Sequence, residues 1–168
     1  MSGATRASSP AEPVRGGRPR AGYPSTVIYV DGTGLCRFLP GVRFFDEFND
    51  FAVPRIHELA TTQLGFTELR QAAELYPREQ KAKAFDVVEM VRGSIPVIRF
   101  SEHNMSVSTH AVAVLKPFAA LHLGAAVAHP QIHAILTYDV ELARAAELYE
   151  LQVLSPGLAP GWHNTTGA

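Results

Sequence analysis

Cysteine occurs once in this sequence, at Cys36, which excludes an internal disulfide framework and suits a reducing compartment. Long apolar runs are missing too. None approaches the ~20 residues that a membrane-spanning helix needs, so no membrane partner is expected. The first residues hold no hydrophobic signal region, and the chain is expected to be cytoplasmic rather than secreted. No internal repeat is visible, which excludes solenoid and propeller architectures. Nor is there a strong charge of one sign: 15 basic against 16 acidic residues leave a formal net charge of −1.

What is present is an ordinary globular composition, 46% hydrophobic and 18% charged over 168 residues, enough for one domain with a real core. Residues 1–24 differ from the rest. They carry Arg6, Arg15, Arg18 and Arg20 against Glu12, with Pro10, Pro13, Pro19 and Pro24 among Ser, Gly and Ala. This Arg/Pro-rich tail lacks apolar periodicity and is expected to be disordered. Without it the body is net −4, so any nucleic acid must meet local basic residues or a metal-filled acidic cleft. The domain is expected over 25–158, with 159–168 as a C-terminal extension.

Within the body, short apolar runs alternate with helical patterns. The run Thr26–Val30 ends at Asp31 and the turn Gly32-Thr33-Gly34, with a short helix from about Leu35. Residues 44–49 give no clear assignment. A short strand is read at 57–62, a helix at 66–76 stopped by Pro77, and another at 78–92 closed by Gly93-Ser94. A strand follows at 95–100. Residues 105–116 suggest a helix that Pro117 breaks, and 121–128 a buried alanine-rich helix. The chain closes with strand 134–137, helix 140–149 and strand 151–154. This order implies a three-layer α/β/α domain with a mainly parallel central sheet.

Two strands end in an acid, Asp31 and Asp139. An aspartate there is a good helix N-cap, and taken singly the cap is the better account of each. Their equivalent positions change the argument, because ligands of open parallel sheets bind at the carboxyl ends of the strands. Glu68 is a third candidate, read in the first turn of its helix, where the dipole favours an acid in any case. Three converging carboxylates repel one another unless a cation neutralises them. Oxygen-only ligands suit Mg²⁺ or Mn²⁺, which activate water and stabilise displacement at phosphorus.

These residues carry a resemblance. Val27-Ile28-Tyr29-Val30-Asp31-Gly32-Thr33-Gly34-Leu35, Phe66-Thr67-Glu68-Leu69, Ala119-Ala120-Leu121-His122-Leu123-Gly124-Ala125-Ala126 and Thr137-Tyr138-Asp139 with Val153-Leu154-Ser155-Pro156-Gly157 follow one another as do the motifs of the PIN domain. The chain resembles in particular the VapC-type toxin ribonucleases of bacterial toxin–antitoxin pairs, over roughly residues 26–157. The resemblance implies a PIN-like fold and Mg²⁺- or Mn²⁺-dependent hydrolysis of RNA. It implies Asp31, Glu68 and Asp139 as metal ligands and catalytic acids, with Thr33 as an auxiliary hydroxyl. A homodimer and a cognate antitoxin protein are the implied partners. One position departs: the family's third acid falls at Ala119, whose methyl binds no metal. A naturally degenerate member, an enzyme working with three acids and a deliberately inactivated toxin are all compatible with that. The alternative from another class is a catalytically inactive PIN-like module that binds a protein or RNA partner. A phosphatase with Asp31 as nucleophile is less well supported, since its lysine and further motifs are not found.

The remaining residues have simpler readings. Cys36 lies in an apolar stretch and is expected to pack; His122 lies on an apolar helix and reads as a satisfied core histidine rather than a ligand. Glu141 reads as a partner of the helix dipole. His129, His133 and His163 share no metal-ligand spacing. Arg37, Arg43 and Arg70 are expected in surface ion pairs, with RNA phosphates as the alternative. The stripe Phe44, Phe45, Phe48 and Phe51 is read as core or, failing that, as a partner surface, and Trp162 with the polar end as packed or frayed.

Overall fold

The computed structural model of the chain describes residues 26–165. The tail expected at 1–24 lies outside them. The centre of the fold is β1 (Val27–Val30), whose β-branched and aromatic residues are buried on both faces, as a central strand of a parallel sheet requires. With β2 (Leu59–Thr62), β3 (Val97–Ile98), β4 (Ile132–Leu136) and β5 (Gln152–Leu154) it forms a five-stranded sheet in the order β3-β2-β1-β4-β5. Every pairing is parallel, so each connection crosses over through helices.

The helices among the described residues are α1 (Gly32–Leu35), α2 (Phe45–Ala52), α3 (Gln63–Glu74), α4 (Arg78–Ser94), α5 (Glu102–Ala111), α6 (Pro117–Val127) and α7 (Val140–Leu148). Those from α1 to α4 cover one face, where Ile28, Val30 and Leu136 of the sheet meet Phe38, Phe48, Phe66 and Leu69. The other face is smaller in grain: Tyr29 and Ile135 pack against Ala120, Leu123, Ala126, Leu142 and Ala146 of α6 and α7. The expected three-layer α/β/α architecture is therefore present, with a wholly parallel sheet. The strand order reverses between β1 and β4, which makes their carboxyl ends the switch point where a crevice opens.

Several local expectations change. Residues 44–49, unassigned from sequence, belong to α2, which starts from Phe44 in the left-handed conformation without a capping side chain. The strand read at 57–62 is two residues shorter, Leu59–Thr62, because a 3-10 turn containing Pro54 runs to Glu58. The strand read at 95–100 pairs only over Val97–Ile98 at the sheet edge. Pro117 does not break a helix; it starts α6, where its missing N–H costs nothing and its fixed φ suits the first turn. Helix α3 begins at Gln63 rather than at position 66, so Glu68 lies in the second turn, not the first. Residues 162–164 form a 3-10 turn that packs rather than frays: Arg144 Nε donates to the His163 carbonyl at 2.6 Å. No helix among the described residues is long and apolar enough to cross a membrane.

Candidate functional site

Asp31 ends β1 and caps α1. Its Oδ1 accepts from the Gly34 N–H at 2.8 Å. The Thr33 hydroxyl lies 2.8 and 2.9 Å from the two carboxylate oxygens, and the Thr137 hydroxyl donates to Oδ2 at 2.7 Å from 106 residues away. Each threonine oxygen also accepts a backbone N–H, from Tyr138 and Asp139 respectively. That commits their protons to the acid. Asp31 is only 2% exposed. Burial raises its carboxyl above the ordinary 3.8, against the opposing pull of His122, Thr137, Gly34 and Thr33.

Asp139 occupies the matching place after β4. Its Oδ1 accepts from the Glu141 and Leu142 N–H groups at 2.9 and 3.0 Å, capping α7. No hydrogen-bond donor among the described residues reaches Oδ2. Both aspartates are thus caps, as each is expected to be when taken alone, and the cap uses only part of each carboxylate.

Glu68 reaches the site from α3. Its Oε2 lies 2.6 Å from His122 Nε2, and His122 Nδ1 lies 2.7 Å from the Tyr29 hydroxyl, which touches Thr62 at 3.2 Å. His122 is a satisfied buried histidine, bridging a carboxylate to a phenol that burial keeps neutral. Gly32 makes the arrangement possible, because a Cβ there would overlap the Glu68 side chain. The Cys36 thiol, raised to about 12 by burial, is no nucleophile.

Asp31, Thr33, Glu68 and Asp139 line one cavity of about 410 Å³, and Ala119 is part of its wall. The positions picked from four separate stretches of sequence therefore meet at the β1/β4 switch point. His122, Lys116, Phe118 and Leu142 share the lining. Thr137 and His122 are the residues that sequence reasoning missed as parts of this network. Thr137 carried a signal: it stands two residues before Asp139, as Thr33 stands two after Asp31.

The donor set suits a hard divalent cation. All candidate ligands are carboxylate oxygens, and Asp139 Oδ2 and Glu68 Oε1 have no protein donor among the described residues. Among those residues no three His, Cys, Asp or Glu side chains are grouped closely enough to hold a metal by themselves. A magnesium-type ion does not require that; it commonly takes one or two carboxylates, several waters and the phosphates of its substrate. No family model matches this chain, and no curated protein matches it at a significant level.

Proposed function

We propose that this chain is a PIN-type, VapC-like endoribonuclease domain that hydrolyses RNA phosphodiester bonds with Mg²⁺ or Mn²⁺ and is neutralised by a cognate antitoxin. The observation that carries the reading is the convergence of Asp31, Glu68 and Asp139 on one cavity, with Ala119 in its wall. A bound ion would neutralise the phosphate and polarise a water toward loss of its proton. Asp31 and Asp139 would hold it, Asp31 being fixed by the hydroxyls of Thr33 and Thr137. Asp139 Oδ2 is the oxygen free to orient the attacking water. Glu68 completes the acidic wall, its Oε2 held by His122 Nε2. A homodimer is part of the same proposal.

The Ala119 methyl weakens this machinery without touching the fold. Ala119→Asp is expected to raise Mn²⁺-dependent cleavage of a tRNA, rRNA and mRNA panel by at least tenfold over the chain as it stands. Equal cleavage by both would remove any role for position 119.

A second reading has its own support: with an apolar residue at 119 and Glu68 tied to His122, the domain is a non-catalytic module that binds a protein or RNA partner. Thermal melting separates the two. A rise with Mn²⁺ that disappears in Asp31→Ala favours the metal site, since a ligand of the folded state alone stabilises it; no rise favours the module.

A further inference from the structure

The acidic cavity repels the substrate proposed for it, so a strand of RNA needs cations held close by. The described residues provide them in an unusual form. Arg37 and Arg43, expected in surface ion pairs, have none among the described residues, where the lysine and arginine pairs are Lys81–Glu74 and Arg144–Glu141. Both guanidinium groups lie on aromatic rings instead. Arg37 is 4.3 Å from the centre of the Tyr138 ring, and Arg43 is 4.4 Å from that of Phe44. The two rings stack on each other at 5.9 Å and 15°.

The ladder is held in place at each rung. Phe44 adopts φ +62°, a left-handed conformation that costs an aromatic residue about 1–3 kcal/mol and persists only where its surroundings enforce it. Gly157, itself at φ +90°, leaves the space the Phe44 ring fills. The Tyr138 hydroxyl donates to the Pro156 carbonyl at 2.8 Å, and Arg37 Nη1 donates to the Arg43 carbonyl at 2.9 Å. The Tyr138 N–H donates to Thr33 Oγ1, the hydroxyl that binds Asp31, and Tyr138 is followed in the chain by Asp139. The ladder is therefore fastened to the acids on both sides of the switch point.

We propose that Arg37, Arg43, Phe44 and Tyr138 form a platform for single-stranded RNA that leads the strand to the acid cavity. The direction of travel rests on the ribonuclease reading; the binding does not. Planar guanidinium groups offer phosphates a two-pronged contact, and the outward plane of exposed Arg43 offers a base a stacking surface. Two cationic groups carried on one aromatic stack can each hold a phosphate of an unpaired strand, without sequence preference. An acidic peptide would use the cations but has no base to lay on the outward plane of Arg43.

The test is fluorescence anisotropy of a labelled oligouridine RNA with the full chain in EDTA, where nothing is cleaved. Arg43→Gln is expected to weaken binding about tenfold and to lower the slope of log affinity against log salt by about 0.7, one phosphate contact. Arg43→Lys keeps the charge and loses the planar face, so it is expected to keep the salt slope while binding stays weakened about threefold. Unchanged affinity in both variants overturns the platform. So does full affinity in Arg43→Lys, or polyglutamate competing as well as unlabelled RNA. The two proposals fail separately. RNA binding through Arg43 without any cleavage by Ala119→Asp sinks the nuclease and keeps the platform. Full cleavage by Ala119→Asp/Arg43→Gln sinks the platform alone.

Discussion

Asp31 and Asp139 stand in the same place twice over, each at the carboxyl end of one of two neighbouring strands and each capping the helix that follows. Their surroundings part company from there. Asp31 is almost wholly buried at the cavity's floor, with two hydroxyls and a backbone N–H turned toward it. Asp139 is half-buried and spends one oxygen on two N–H groups of α7, leaving the other open. One local motif thus yields one carboxylate held fast and another with an oxygen to spare. The difference comes from Thr33 and Thr137, and not from the acids.

Thr137 is where the two halves touch, so its loss is the hardest blow. Thr137→Val removes a hydrogen bond to a buried carboxylate and strips the Asp139 N–H of its acceptor; unfolding in guanidinium is expected to show a loss of about 3 kcal/mol. A loss no larger than that of an ordinary surface substitution would mean that the carboxylate is held without it. The positions after the two acids sharpen the contrast next. At Val140 a side chain is accommodated, whereas at Gly32 the space belongs to Glu68. Gly32→Ala is expected to cost about 2 kcal/mol by overpacking and to dislodge Glu68 from His122, visible as a changed imidazole resonance in NMR.

Asp139→Ala should cost less, about 1 kcal/mol for a lost cap, while abolishing any metal-dependent rise in melting temperature. The smallest effect is one of pH. Because burial raises the Asp31 carboxyl, the native state holds its proton to higher pH than the unfolded chain does. Stability therefore falls as pH climbs from the ordinary 3.8 toward the raised value, and is level above it. Asp31→Asn is expected to flatten that decline, as denaturant melts between pH 4 and 8 would register, while its amide N–H₂ meets hydroxyls that already donate and so lowers stability at every pH. A decline that persists in Asp31→Asn would assign it to another group.

Much of this was legible in the residues because strand, acid and helix follow one another with strong periodicity at 27–35 and 132–148. The ends were legible; the middle was less so. Helix α2 escaped because its start depends on the strained Phe44, and left-handed aromatics have no sequence signal. Pro117 was misread because a proline that stops one helix can equally start another, and only packing decides. Glu68 slipped one turn because Thr62 precedes α3 without making a capping bond, so nothing in the sequence marks the helix start. His122 was recognised as a core residue, but its link from Glu68 to Tyr29 joins three elements far apart in sequence.

The pairing at the heart of the sheet sets Val30 beside Leu136. Such long-range partnerships are slow to form and cannot begin until both partners exist. During synthesis, β1, β2 and β3 all emerge well before β4, so Asp31 waits with one of its threonines and no neighbouring strand on its open side. The wall that carries Thr137 and Asp139 is the last part of the cleft to be made, and whatever chemistry needs those residues is closed to the growing chain.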